Sequence, residues 1–150
     1  MSSTSSKKII TANWPKNLSY DKSDPVIDAY FSNIGGAQKK ETSFFYKKTG
    51  FEIFITAMGI GKQIGEKTKL KKPSQTLPTP NLQEEHVWAM IAVAMAEKNS
   101  DLNTLEKGNE MVKICEEYAN TGIKTLIAMD STPDGIEEKF ESLLRRKDIL

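Results

Sequence analysis

The chain has 150 residues, of which 38% are hydrophobic and 27% are charged, and its formal net charge is +1. No segment reaches the roughly 20 uncharged apolar residues that a membrane-spanning helix needs. The single cysteine, Cys115, excludes an internal disulfide and a thiolate zinc cluster. Since the first residues lack the apolar stretch of a signal peptide, these features predict a cytoplasmic globular protein of one domain.

Charge is distributed unevenly along the chain. Residues 39–72 hold nine lysines and three glutamates, a net charge of +6, whereas residues 82–150 hold eight basic and fourteen acidic residues, a net charge of −6. This asymmetry predicts either a basic surface that meets a polyanion or two parts of the fold that attract each other.

The first predicted elements are a tail and a helix. Residues 1–8 are serine-rich without an apolar anchor, which predicts a disordered tail. Asp24 and Pro25 provide an N-cap and a first-turn proline for "PVIDAYFSNI", in which apolar residues recur at helical spacing. The helix is expected to stop at Gly35 and Gly36.

The next segment fits two structures. Aromatic and β-branched residues around a glycine-containing turn indicate a short β-hairpin near residues 43–55. The helical spacing of the apolar residues instead favours a helix from Phe51 to Met58 that ends at Gly59. We predict the helix and leave the residues before Gly50 open between the two.

Proline then interrupts the pattern. Residues 73–80 contain three prolines and are predicted to form an exposed connector without a regular helix or ladder. Asn81 is the predicted cap of the following helix, whose body "HVWAMIAVAMA" is apolar on nearly every face. Such a helix is expected at the centre of a small bundle.

Two more helices complete the predicted fold. "EMVKICEEYAN" has an apolar stripe and is followed by Gly122 as its terminal glycine, after which helical spacing continues briefly to Ile127. Thr132 and Pro133 have the cap and first-turn pattern of a last helix. Residues 9–150 are therefore predicted to form a compact all-α domain of five to six helices.

The stretch "AMGIGKQIGEKTKLKK" (residues 57–72) raises the question of phosphate binding. Its glycine spacing is G-x-G-x-x-x-G, which is not the dinucleotide fingerprint. A P-loop needs lysine and a hydroxyl residue after its last glycine, but Glu66 follows Gly65. The glycines are thus predicted to end a helix and to let the backbone turn.

The lysines of this stretch are the stronger candidate. Mobile ammonium groups suit sequence-independent contacts with phosphates, and neighbouring aromatic rings would allow stacking on bases. Residues 39–72 contain no arginine for bidentate base readout, and a solvated lysine surface is the alternative interpretation. The predicted binding residues, for nucleic acid or for a protein partner, are Lys62, Lys67, Lys69, Lys71 and Lys72.

Catalytic and metal-binding patterns are weak. His86 lacks the H-E-x-x-H spacing of a zinc site, and Cys115 lies on an apolar stripe, which predicts a buried structural thiol. Glu116 and Glu117 are adjacent on a helix and point about 100° apart. We predict no catalytic residue, no metal and no cofactor, and a metal-dependent nuclease using Glu116, Glu117 or His86 remains the least favoured alternative.

Three segments, "FEIFITAMGIGKQIGEKTKL", "EEHVWAMIAVAMAEKNSDLNTL" and "EMVKICEEYANTGIKTL", resemble a small bacterial family encoded beside dnd-type DNA phosphorothioation systems, the fourth of the dnd-system-associated families. The resemblance covers residues 50–127. It implies an accessory role in a DNA-modification or anti-phage locus and brings no catalytic motif. The residues that carry it are Phe54, Met58, Gly59, Gly61, Lys62, Glu117, Tyr118, Ala119, Asn120 and Gly122.

The leading hypothesis is therefore a non-enzymatic accessory protein whose lysine-rich turn contacts single- or double-stranded DNA, or an acidic protein component of a defence complex. The alternative is a protein–protein adaptor that docks through a helix face and leaves the lysines to solvent.

Overall fold

The structure, a computed structural model, describes residue 8, residues 10–31 and residues 49–130. These residues form four α-helices and one two-stranded antiparallel sheet, so the prediction of a mainly helical fold is confirmed and that of an all-α bundle of five to six helices is wrong. The elements are β1 (Asn17–Asp21), α1 (Pro25–Phe31), α2 (Gly50–Ile64), β2 (Pro73–Pro78), α3 (Glu84–Glu97) and α4 (Gly108–Asp130), with 3-10 turns at Thr11–Asn13, Thr79–Asn81 and Leu102–Glu106.

Helix α1 begins at Pro25, as predicted. The Asp24 carboxylate accepts a hydrogen bond from Val26 N (2.9 Å), which satisfies one backbone donor of the first turn.

Several predictions lie outside the described residues, and these are the tail over residues 1–7, the helix stop at Gly35 and Gly36, and the last helix after Thr132 and Pro133.

Helix α2 begins at a capping box. Glu52 N donates to Thr49 Oγ1 (3.2 Å), and Thr49 N donates to the Glu52 carboxylate (3.0 Å). These reciprocal bonds satisfy two backbone donors at the start of the helix and explain why it begins at Gly50.

The hairpin alternative is wrong for residues 50–55, which lie in α2, and its residues 43–48 lie outside the described part of the chain. The predicted helix end at Gly59 is also wrong, because α2 continues to Ile64. The helix ends instead at Gly65, whose φ of 87° is the left-handed conformation that glycine favours.

Two glycines allow α2 and α4 to cross at close range. A Cβ added to Gly61 would lie 1.9 Å from the Tyr118 carbonyl oxygen, and one added to Gly122 would lie 1.8 Å from the Ala57 carbonyl oxygen. Only glycine permits this approach of the two backbones. The prediction that Gly122 ends its helix is therefore wrong, and α4 passes through it and continues to Asp130.

The predicted connector at residues 73–80 contains strand β2, so that prediction is wrong, although most β2 side chains are exposed. Strand β2 pairs with β1 so that Asp21 lies opposite Pro73 and Asn17 lies opposite Pro78. The two prolines occupy the first and last positions of the strand, where a missing N–H does not interrupt the ladder.

The core lies between α2, α4 and the sheet, and α3 covers one side of it. Helix α3 begins at Glu84 after the N-cap residue Gln83, so the predicted cap at Asn81 is wrong. Trp88 is 49% exposed, which shows that α3 buries one face and does not lie at the centre of the fold. The largest fully buried side chains include Phe54, Leu18, Ile27, Ile53, Met58, Leu82, Met90, Met111, Ile123 and Leu126.

No helix among the residues that the structure describes is long and apolar enough to cross a membrane.

Candidate functional site

Residues 66–72, here called the lysine segment, connect α2 to β2. The segment follows Gly65, whose N–H donates to Gly61 O (2.9 Å), and it has no regular secondary structure before β2 begins. Gly59 and Gly61 lie inside α2, and Gly65 ends it. The three glycines therefore do not form a loop that wraps a phosphate, in agreement with their spacing in the sequence.

Helix α4 holds the first half of the lysine segment. Thr68 N donates to Glu117 O (3.0 Å), and the hydroxyls of Thr68 and Thr121 lie 2.6 Å apart. Asn120 Nδ2 donates to Thr68 O (3.1 Å) and to Lys69 O (3.3 Å). Since Asn120 is only 5% exposed, its amide fixes the segment to the protein surface from below.

Asp21, the last residue of β1, holds the second half. Its carboxylate accepts hydrogen bonds from Lys71 N (2.9 Å), Lys72 N (3.1 Å) and Ser23 N (2.9 Å). Burial by itself raises the pKa of Asp21, but these backbone donors lower it more, to about 2. The carboxylate is therefore ionised at neutral pH and keeps the backbone of the lysine segment in one conformation.

Two of the five predicted lysines are engaged within the protein. Lys67 Nζ lies 2.6 Å from a carboxylate oxygen of Glu97, and Tyr118 OH donates to the other Glu97 oxygen (2.6 Å). Lys62 Nζ lies 5.4 Å from the centre of the Tyr118 ring, within the range of a cation–π contact. These contacts join α2, α3 and α4 and leave Lys62 and Lys67 less available to an outside partner.

The other three lysines, Lys69, Lys71 and Lys72, are exposed. The sheet adds a fourth exposed lysine, because Lys22 N donates to Lys72 O (3.0 Å) just beyond the paired ends of β1 and β2. We call these four residues, Lys22, Lys69, Lys71 and Lys72, the lysine ridge. Sequence reasoning missed Lys22 because it lies about fifty residues away along the chain and becomes a neighbour only through strand pairing.

Glu116 is a partly buried carboxyl of α4 that contacts strand β1. Ser19 N of β1 donates to Glu116 Oε2 (2.7 Å). Burial raises the pKa of Glu116 to about 7, while the hydrogen bond from Ser19 opposes the rise and the nearby Glu117 adds to it. Glu116 and Asn120 line a cavity of about 10 Å³, which has room for about one water molecule and for no larger ligand.

We expect Glu116→Gln to stabilise the protein at pH 8. The carboxyl has an ordinary pKa of 4.5 and a folded-state pKa of about 7, so the free energy of unfolding of the native protein falls as pH rises between these values. Glutamine keeps an acceptor for Ser19 N without a charge. Urea unfolding at pH 5 and pH 8 should show a gain of at least about 1 kcal/mol at the higher pH only. Equal stabilities at pH 8 would contradict the raised pKa.

The remaining candidates for chemistry are dispersed. Cys115 is fully buried, its Sγ lies 3.4 Å from Met90 O, and burial raises the pKa of its thiol, so the prediction of a structural thiol is confirmed. His86 belongs to α3, whereas Glu116 and Glu117 belong to α4. Among the described residues, no group of three or more His, Cys, Asp or Glu side chains is placed to hold a metal ion.

Comparison with known proteins gives one match. The family model described as DNA sulphur modification system-associated protein 4 matches residues 34–146, which is a longer stretch than the resemblance over residues 50–127 indicated. No curated protein and no solved structure matches the chain.

Proposed function

The chain belongs to the family of DNA sulphur modification system-associated protein 4, and from this membership we propose that it is a non-enzymatic accessory protein that binds the phosphate backbone of DNA. The proposed contact surface is the lysine ridge. The observation that supports it is the presence of four exposed ammonium groups on a backbone that Asp21 and Asn120 hold in place. A fixed backbone lowers the ordering cost of binding.

The chemistry of the ridge favours phosphate contacts over base readout. Lysine binds phosphate as a point charge, and residues 39–72 contain no arginine for bidentate recognition of a base edge. Two aromatic residues belong to the elements that hold the lysine segment, Tyr20 in β1 and Tyr118 in α4, and they are only 7% and 4% exposed. They offer no face for stacking on unpaired bases, so we propose duplex DNA as the ligand, bound without sequence preference.

We expect reversal of the ridge charges, with Lys22, Lys69, Lys71 and Lys72 all changed to Glu, to abolish DNA binding. For four phosphate contacts, the plot of log affinity against log salt should have a slope of about −3.6 for the native protein. Fluorescence anisotropy with a labelled DNA duplex between about 50 and 200 mM salt measures both effects.

A matched variant controls for total charge. Lys8, Lys16, Lys107 and Lys113 are exposed lysines outside the ridge, and changing all four to Glu alters the net charge by the same amount. This variant should keep most of the affinity, because charges farther away than about 8 Å are screened at physiological salt. Equal loss in both variants, or no salt-dependent binding by the native protein, would show that the ridge is not a DNA contact.

A nuclease assay tests the alternative that the protein is a metal-dependent nuclease. A metal-supplemented nuclease assay of the native protein and of Glu117→Gln would support catalysis only if activity is present and the substitution removes it. The proposal of a non-enzymatic role expects no activity in either protein.

A further inference from the structure

A groove lies at the opposite end of the sheet from the lysine ridge. It has a volume of about 480 Å³ and lies between Lys8, residues 11–12, residues 14–16 and residues 79–80. This volume is within the range of about 300–1,000 Å³ that is typical of ligand pockets. Since Lys16 precedes β1 and Lys22 follows it, the groove and the ridge are about 20 Å apart along the strand.

Hydrogen bonds and packing fix the walls of this groove. Thr79 Oγ1 donates to Pro15 O (2.6 Å), and Thr79 N donates to Lys16 O (2.8 Å). Trp14 is 7% exposed and packs so closely on Gly108 that a Cβ there would lie 2.7 Å from Trp14 Cδ1. The groove is thus part of the folded surface and does not depend on the ligand for its shape.

The lining combines apolar surface with positive charge. Ala12, Trp14 and the prolines at 15 and 80 supply apolar surface, and Lys8 and Lys16 supply two exposed ammonium groups. None of the described residues that line the groove is acidic. A matching ligand has an apolar part that is removed from water when it enters the groove. It also has carboxylates that pair with the two lysines.

We propose that this groove binds an acidic peptide segment with apolar side chains, supplied by a protein partner. A nucleic acid fits less well, because the apolar surface gives nothing to phosphates and the Trp14 ring is too buried to stack on a base. The site does not depend on DNA binding by the ridge, since the two surfaces are separated by more than a screening length.

The test uses Trp14 as the reporter. The chain has two tryptophans, and Trp88→Phe leaves Trp14 as the remaining one. This variant is titrated with a synthetic peptide of alternating glutamate and leucine, with a glutamate–serine peptide, and with a short DNA duplex. The glutamate–leucine peptide is expected to change the Trp14 emission at saturating concentration, and the glutamate–serine peptide is expected to bind at least about tenfold more weakly.

Charge reversal separates this site from the ridge. Lys8→Glu together with Lys16→Glu should weaken binding of the glutamate–leucine peptide at least about tenfold, whereas reversal of the four ridge lysines should leave it unchanged. DNA binding should show the opposite dependence, so a failure of one proposal is distinguishable from a failure of the other. Circular dichroism and urea unfolding of each variant confirm that the fold is retained.

Four outcomes of the titrations would overturn the groove proposal. These are no emission change with the glutamate–leucine peptide, equal binding of the glutamate–serine peptide, displacement of the peptide by DNA, and equal binding by the Lys8/Lys16 double variant. Self-association that the double variant abolishes, measured by analytical ultracentrifugation, would also overturn it, because the occupant would then be a second copy of the chain.

Discussion

Gly122→Ala is expected to lower the free energy of unfolding by at least about 3 kcal/mol, because the new methyl group has no space. Its Cβ would lie 1.8 Å from Ala57 O and 2.7 Å from Gly61 N, and both of these atoms belong to the backbone of α2. A flexible side chain could rotate away, but a helix backbone cannot, so α2 and α4 must separate. Urea unfolding should show a lower midpoint with an unchanged dependence on denaturant.

Gly59 provides the matched control for this prediction. It lies in α2 two residues before Gly61, and a Cβ at Gly59 meets nothing within 4 Å. Gly59→Ala should therefore raise the free energy of unfolding by about 0.5–1 kcal/mol through helix propensity alone. If Gly122→Ala and Gly59→Ala had the same effect, the close crossing of α2 and α4 would be contradicted.

Asp21→Asn is expected to lower the free energy of unfolding by about 2–3 kcal/mol and to weaken DNA binding by the lysine ridge. The carboxylate accepts three backbone hydrogen bonds, two of them from Lys71 and Lys72, and an amide replaces one of its oxygens by a donor. Without this anchor the second half of the lysine segment is no longer fixed, so the ridge loses its preorganised shape.

The effect of Asp21→Asn should depend on pH in a defined direction. The folded-state pKa of about 2 lies below the ordinary value of 3.8, so the carboxylate contributes its full stabilisation above about pH 4 and loses it as pH falls toward 2. The difference in stability between the native protein and the variant should therefore shrink over that interval. A difference that stays constant from pH 6 down to pH 2 would contradict the anchoring role.

Asp24→Asn is the control for Asp21→Asn, because it makes the same chemical change three residues later in the chain. Asp24 accepts a hydrogen bond from Val26 N at the start of α1, and asparagine caps helices about as well as aspartate. This variant should retain both the stability and the DNA affinity of the native protein. Because each of the two substitutions removes one negative charge, net charge alone would strengthen DNA binding in both variants. Loss of DNA binding in Asp24→Asn as well would therefore contradict the specific role of the Asp21 anchor.

The candidate site was only partly predictable from the sequence. Local composition located the lysines at 69, 71 and 72, because a run of charged residues after a helix-ending glycine lies on the surface in most folds. Local composition also placed Lys62 and Lys67 among the predicted binding residues. It carries no information about their contacts with Tyr118 and Glu97, because those contacts join residues far apart in the chain. The sequence did not indicate a role for Asp21, because its hydrogen bonds with Lys71 N and Lys72 N join residues about fifty apart in the chain.

The family resemblance rested on residues whose structural roles are now visible. Gly61 and Gly122 permit the crossing of α2 and α4, Tyr118 contacts Lys62 and Glu97, and Asn120 holds the lysine segment. The pattern was assigned to helix ends, whereas both glycines lie inside helices. The family was nonetheless identified, since a pattern can be matched without knowing what its residues contact.

The sequence by itself determined the positions of most helices, the buried character of Cys115, the failure of the glycines to form a nucleotide loop, and the family. These features depend on residues that are close in the chain, through helical spacing, capping and motif spacing. Only the tertiary structure decided that residues 73–78 form a strand, that Gly122 lies within a helix, and that Lys22 joins the lysine ridge. Each of these features depends on a segment that is distant in the chain. The strand at residues 73–78 and the position of Lys22 depend on β1, and Gly122 depends on α2. Local propensity carries no information about which distant segments will meet.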